Sequence, residues 1–177
     1  MIRPDDDIIE VKYFTALITG PKSIRQETYI DALMTLPKVS VILGKFKPKE
    51  IKCDVQGCLY GGKRVMVCPI EKRTDVNIAS HIVSDAVMRV DVDNLILVSG
   101  DSDLVPAIQT ARRVAPAKKT FVYVPVSATT LGKKIAAEIR QAAHQHRETP
   151  LVPLKSAQFA PIVVDSSGNQ YHKPVEW

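Results

Sequence analysis

Two aspartates, Asp101 and Asp103, stand two residues apart directly after the aliphatic run at residues 95–98. That run predicts a strand buried on both faces, and Pro106 fits the first turn of a following helix. The carboxyl ends of such parallel strands are where α/β proteins bind their ligands. Two carboxylates this close repel each other unless a cation lies between them. The pair therefore predicts a cation-dependent site at the edge of a sheet.

A second interpretation of the aspartates is purely structural. Aspartate after a strand often caps the next helix, and such a cap stabilises a protein by about 1 kcal/mol. One cap explains one aspartate, whereas the segment at residues 99–103 reads Ser-Gly-Asp-Ser-Asp. We therefore expect a functional role for the pair.

The composition is that of a globular protein with a modest basic excess. In 177 residues, 45% are hydrophobic and 24% charged, with 24 basic and 19 acidic side chains giving a net charge of +5. No run approaches the roughly 20 apolar residues of a membrane helix, and the first residues do not resemble a signal peptide, so we expect a cytoplasmic protein with no membrane partner. Acidic residues at one edge of an otherwise basic chain are expected of a metal site acting on phosphates.

The periodicity predicts an α/β fold. A strand, a helix and a strand in succession form a βαβ unit and imply a parallel sheet. Thr74 is the expected cap of a later helix, which places Asp75 and Asn77 in its first turn. We expect one domain over residues 1–154, with an insert at 48–70 and an extended C-terminal arm at 155–177 that packs on the domain. The predicted strands cover 8–18, 39–46, 94–98, 120–126 and 151–154, and the predicted helices cover 23–36, 75–88, 104–113 and 129–146.

All three cysteines, Cys53, Cys58 and Cys68, fall in the insert. Their odd number and a cytoplasmic setting disfavour disulfides. Zinc binding by the three thiols is one interpretation, but the Cys-x-x-Cys spacing of zinc knuckles is absent and a fourth ligand would have to come from elsewhere. The other interpretation is a hairpin excursion with buried thiols.

Two segments together resemble a known family. Residues 98–106, Val-Ser-Gly-Asp-Ser-Asp-Leu-Val-Pro, follow residues 71–79, Glu-Lys-Arg-Thr-Asp-Val-Asn-Ile-Ala, at a distance of one helix and one strand. This combination resembles the NYN domain, a branch of the PIN-like metal-dependent ribonucleases, and the likeness extends to residues 12–16, 25–33 and 174–177. It implies a Rossmann-like three-layer α/β/α sandwich with a mostly parallel sheet, whose acidic edge binds Mg²⁺ or Mn²⁺ and cleaves RNA. The resemblance makes Asp75, Asp101 and Asp103 the catalytic, metal-binding residues.

The chain departs from the family pattern at its beginning. Family members start with a strand that ends in an Asp-Gly-x-Asn-like segment, which supplies a further aspartate from the middle of the sheet. No such segment occurs here. The strands that would flank it must pair directly, leave an edge unsatisfied, or recruit a strand from elsewhere, including another chain. Three remaining carboxylates give less charge for metal-assisted hydrolysis.

These observations lead to one principal hypothesis and two alternatives, with the oligomeric state left open. The principal hypothesis is an RNA-cleaving enzyme in which Asn77 and Ser99 orient the acidic site. The first alternative is a catalytically weak or inactive module that binds RNA or a protein, and the second is a metal-dependent phosphatase or nucleotide hydrolase. The residues expected to hold RNA phosphates are Lys45, Lys47, Lys72 and Arg73.

Overall fold

The computed structural model describes residues 6–20, 23–53, 55–57, 65–126, 136–150 and 156–175. Over these ranges the chain is a mixed α/β protein. Its strands are β1 (Val11–Thr15), β2 (Val39–Leu43), β3 (Lys45–Lys52), β4 (Val65–Lys72), β5 (Asn94–Val98), β6 (Lys119–Val126), β7 (Gln145–Pro150), β8 (Ile162–Val164) and β9 (Gln170–His172). Its helices are α1 (Ser23–Met34), α2 (Thr74–Met88), α3 (Val105–Val114) and α4 (Ala137–Ala142), with a 3₁₀ turn at Ser102–Leu104.

The predicted βαβ unit is present at the start of the described chain. Strands β1 and β2 pair in parallel, and α1 connects them. Consecutive residues of β1 contact different helices: the ring of Tyr13 lies edge-on to Tyr29 of α1 at 6.0 Å, and Phe14 lies edge-on to His81 of α2 at 5.4 Å. Because neighbouring side chains of a strand point to opposite faces, α1 and α2 cover opposite sides of β1.

Most of the buried core lies between a second parallel sheet, in the order β5-β6-β7, and the helices α3 and α4 that cover it. Strand β6 has a neighbour on both edges, and its Phe121 and Val122 are only 5% and 1% exposed. Val122 packs in one cluster with Val105 and Ile108 of α3 and Ile139 of α4. The core thus forms where helices cover a strand that is paired on both sides.

Strands β1 and β5 are each paired on one edge only within the described ranges, and they do not pair with each other. Although both are largely apolar, neither contains a buried residue; Val11 is 44% and Val98 is 63% exposed. Of the three arrangements expected for these strands, direct pairing therefore does not occur within the described ranges.

Helix α2 contacts both of these strands and ties the two sheets together. Lys12 of β1 donates to both carboxylate oxygens of Asp85 on α2 at 2.7 Å, and the two side chains are 18% and 22% exposed. One turn further along, at the C-terminal end of the helix, Arg89 donates to Glu10 at 2.6 Å. Ion pairs shielded from water hold more strongly than surface pairs, so α2 is fixed against β1 by charge as well as by packing.

Two sequence predictions need correction in their bounds. The predicted strand over 8–18 is shorter, and the predicted helix over 129–146 is helical only in α4 within the described part of the chain. Residues Gln145–Pro150 instead extend the sheet as β7, because their backbone pairs with β6 even though their polar side chains are poor strand formers. Residues 127–135 and the predicted strand at 151–154 lie outside the described ranges.

The insert and the C-terminal segment are both built on antiparallel hairpins. Strands β3 and β4 pair as a hairpin over their whole length, but Cys53 and Cys68 are half-buried and not buried as the hairpin alternative expected. Strands β8 and β9 form a second hairpin, and Phe159 just before it lies edge-on to Tyr29 of α1 at 6.3 Å. Trp177 lies outside the described residues. No helix in the described ranges is both long and apolar enough to span a membrane.

Candidate functional site

The turn after β5 holds the two aspartates in a defined geometry. The carboxylate of Asp101 accepts a hydrogen bond from the backbone N–H of Asp103 at 2.9 Å, and the backbone N–H of Asp101 donates to the hydroxyl of Ser99 at 3.1 Å. Leu104, which is 1% exposed, anchors the end of the turn in the core. Ser99 thus bonds to the backbone of the acidic turn. Asp101 is also a helix cap, so the structural interpretation is correct for this residue, while both aspartates remain exposed to solvent.

Asp75 and Asn77 lie in the first turn of α2, as predicted, but the helix begins differently from the prediction. Thr74 is the first helical residue and not its cap: the residue before it is Arg73, in the left-handed region with φ 79°, and the helix start has no side-chain cap bond. The Thr74 hydroxyl donates instead to Glu71, because the strand β4 brings that carboxylate within reach. An exposed aspartate in a first turn interacts favourably with the helix dipole, which is the structural role open to Asp75.

The start of α2 is held against the carboxyl end of β2. The side-chain amide of Asn77 donates to the carbonyl of Leu43 at 3.3 Å. Next along the chain, an ideal Cβ on Gly44 would stand 2.5 Å from the Thr74 hydroxyl and 2.9 Å from the Lys72 carbonyl. The close approach of these backbones therefore requires glycine at position 44. Asn77 fixes the place of Asp75 by its bond to the sheet edge.

The three aspartates belong to the ends of two different sheets. Asp75 lies in the first turn of α2, which the bond of Asn77 holds beside the end of β2, and Asp101 and Asp103 lie after β5. Among the described residues, no group of three His, Cys, Asp or Glu side chains is close enough to hold a metal ion. Asp101 and Asp103 thus lie on one turn, whereas Asp75 comes from the start of α2, a helix that also contacts that turn.

The four expected phosphate-binding residues meet at the base of the β3–β4 hairpin. Lys45 lies directly opposite Lys72, and Lys47 is two positions further along β3. The charge of Arg73, followed by that of Lys47, holds the pKa of Lys45 below its ordinary value of 10.5. This perturbation shows that the cations are near each other, immediately before Asp75 in the chain.

The cysteines are not gathered in the described structure. Cys68 stands opposite Lys49, and Cys53 lies four positions beyond Lys49, which corresponds to about 13 Å along a strand. Zinc holds its thiolates at about 2.3 Å, so these two cannot serve one tetrahedral ion. Cys58 lies outside the described residues.

One basic residue of the hairpin was missed by sequence reasoning. Lys49 continues the alternation of Lys45 and Lys47 on β3. The predicted strand ends at residue 46, so Lys49 falls in the predicted insert and not on a strand. The Lys-Phe-Lys-Pro-Lys alternation at residues 45–49 was the available signal for a longer strand.

The comparisons with known proteins bear on the family of the chain. The model of the NYN domain matches residues 18–150. A solved structure of a protein of unknown function from Vibrio parahaemolyticus is similar at 21% sequence identity and a TM-score of 0.48, over 79% of this chain and 68% of that one. No curated protein matches the chain.

Proposed function

The chain belongs to the NYN domain family, which indicates a nuclease-like, RNA-related function, and from this premise we propose that it is a metal-dependent ribonuclease. The observation that carries the proposal is the acidic turn after β5. There Ser99 fixes the backbone of Asp101, and Asp101 in turn fixes that of Asp103, so two exposed carboxylates are presented from a rigid position. Such preorganisation is what a catalytic site needs.

The carboxylates suit a hard divalent cation. Mg²⁺ is bound in proteins by one or two carboxylates together with waters, and Mn²⁺ accepts the same oxygen ligands. We propose that Asp101 and Asp103 hold the ion and that Asp75 completes the ligand set from the neighbouring strand end. When bound, such an ion polarises the phosphate and lowers the pKa of the attacking water.

The other side chains prepare the substrate. Lys45, Lys47, Lys72 and Arg73 bind the RNA phosphates by charge, and their position just before Asp75 brings the bound backbone to the acidic edge. Asn77 acts as a positioning residue, since its bond to Leu43 sets the place where α2 starts. We further propose that the fold is the three-layer α/β/α sandwich of the family.

The proposal is tested by incubating a labelled RNA with the purified protein in Mg²⁺ or Mn²⁺. The wild type is expected to cleave, and the Asp101→Asn variant is expected not to. The asparagine keeps the hydrogen-bond acceptor of the cap and removes only the charge. Equal cleavage by the two proteins would show that the activity does not reside in this site.

A second candidate function is RNA binding without efficient cleavage. It is favoured because no three His, Cys, Asp or Glu side chains among the described residues are close enough to hold a metal ion, and an incomplete acidic set binds a divalent ion less tightly. In that case the wild type would retain RNA in a salt-dependent manner and leave it intact in Mn²⁺. Release of phosphate from nucleotides with intact RNA would point instead to a nucleotide hydrolase.

A further inference from the structure

The β3–β4 hairpin has two faces of very different charge. Residues directly opposite in an antiparallel pair share a face, and successive residues of a strand alternate between faces. One face therefore carries four lysines and no carboxylate; we call it the basic face, and its members are Lys45, Lys47, Lys49, Ile51, Met66, Cys68, Ile70 and Lys72. The other face carries two glutamates and one lysine, and its members are Phe46, Pro48, Glu50, Lys52, Val65, Val67, Pro69 and Glu71.

The lysines of the basic face are not neutralised by the protein. Elsewhere, Lys12, Lys38 and Arg89 each form ion pairs with carboxylates. None of the four lysines on the basic face forms an ion pair with another described residue. Lys45 even stands directly opposite Lys72, an arrangement of like charges that destabilises a hairpin. An anion bound between the two charges would relieve this repulsion.

The shape of the basic face narrows the choice of anion. Its lysines on β3 stand in one row along a strand of eight residues, about 26 Å long, and the neighbouring row on β4 is apolar through Met66, Cys68 and Ile70. One row of cations follows one sugar–phosphate backbone. An apolar row beside it accepts the faces of unpaired bases, which in a duplex are stacked inside the helix.

We propose that the basic face of the β3–β4 hairpin is a binding surface for single-stranded RNA. The phosphates bind along Lys45, Lys47 and Lys49, and the bases lie against the apolar row of β4. The inference rests on the proposed function for the identity of the polymer. It extends the proposed phosphate-binding residues by Lys49 and by the apolar row, and it guides the strand toward the end of the hairpin where Arg73 and Asp75 lie.

The test compares two single-charge variants of the same hairpin, Lys49→Gln on the basic face and Lys52→Gln on the opposite face. Both lysines are exposed. Fluorescence anisotropy of a labelled 12-nucleotide oligouridylate is measured in EDTA, together with an RNA duplex of equal length. Each lost phosphate contact should reduce the salt slope of single-strand binding by about 0.7, which is about a fivefold loss of affinity at 0.1 M salt.

The proposal predicts this loss for Lys49→Gln, unchanged affinity for Lys52→Gln, and weaker binding of the duplex. Equal losses in the two variants, equal binding of the duplex, or lysine-dependent binding of phosphatidylserine vesicles in place of the oligonucleotide would overturn it. Circular dichroism melting checks that both variants fold. Because EDTA removes catalysis from the measurement, a protein that binds in this way and never cleaves RNA contradicts the ribonuclease proposal alone.

Discussion

Asp101 caps the turn that carries Asp103: its carboxylate accepts the backbone N–H of Asp103 at 2.9 Å. The same side chain thus has a structural role and, in our proposal, a chemical one. A substitution can separate the two roles. Asparagine caps a helix as well as aspartate does, but it carries no charge.

The first prediction concerns stability at this turn. Asp101→Ala should lower the free energy of unfolding by about 1 kcal/mol, because the backbone N–H of Asp103 loses its partner. Asp101→Asn should change the free energy of unfolding by no more than a few tenths of a kcal/mol. Urea denaturation of the three proteins measures both values. Equal destabilisation by alanine and asparagine would show that the cap does not form.

The second prediction tests the contact between β2 and the start of α2. Gly44→Ala should destabilise the protein by about 1–3 kcal/mol, since the new methyl group would collide with the Thr74 hydroxyl and the Lys72 carbonyl. Thermal melting measures the loss. Adding Thr74→Ala should recover part of it by removing the nearer atom. A fully stable Gly44→Ala protein would contradict the close approach on which the position of Asp75 depends.

The third prediction is a pH dependence at His144. Desolvation, followed by the charges of Arg112 and Lys119, lowers the pKa of His144 below its ordinary value of 6.5, and its Nδ1 accepts the backbone N–H of Thr120 at 3.0 Å. The unfolded chain therefore binds the proton first, so this contribution to stability is complete above pH 6.5 and is lost as the pH falls toward the folded pKa.

Melting curves between pH 7.5 and pH 5.5 would reveal this dependence. Asparagine at position 144 offers an acceptor that does not titrate, so His144→Asn should melt with a smaller change over that range. The matched control is His172→Asn on the exposed strand β9, which should behave like the wild type. A wild-type melting temperature as insensitive to pH as that of His144→Asn would refute the assignment.

The fourth prediction concerns the unpaired edges of β1 and β5. Amides of β6, which has neighbours on both sides, should exchange with deuterium slowly, and the amides on the free edges of β1 and β5 should exchange fast. Native-state hydrogen exchange followed by mass spectrometry resolves the three segments. Slow exchange in all three strands would mean that a further strand covers these edges. The mass of the protein in solution would then show whether that strand comes from the same chain or from another copy.

The elements that the sequence predicted are those whose side-chain pattern reflects packing in the core. The elements that it missed are ordered by backbone pairing with a neighbouring strand. The aliphatic run of β5 and the spacing of α3 are strong signals, and the parallel pairing of β1 with β2 follows from the helix between them. Strand β7 could not be predicted, because Gln145, Arg147 and Glu148 have no strand character and are ordered by the backbone of β6. The start of α2 was predicted to within one residue, but Thr74 is not its cap: the Thr74 hydroxyl donates to Glu71, a contact that depends on the tertiary course of β4.

The site was predicted in its parts but not in its arrangement. Asp101 and Asp103 are two residues apart, so their position on one turn could be predicted from the sequence. Whether Asp75 lies close to them depends on how α2 packs against the two sheets, and no local sequence pattern encodes that packing. The alternation along β3 contained the row of three lysines, but only the register with β4 revealed that no carboxylate shares their face.

The most direct test of the account is RNA cleavage by the wild type, Asp101→Asn and Asp165→Asn. Asp165 is the matched control, since it accepts backbone N–H groups of Ser167 and Asn169 in the turn between β8 and β9, outside the acidic edge. In Mn²⁺, we predict cleavage by the wild type and by Asp165→Asn, none by Asp101→Asn, and none by any protein in EDTA. Cleavage by Asp101→Asn at the wild-type rate, or intact RNA with all three proteins in Mn²⁺, would contradict the central claim.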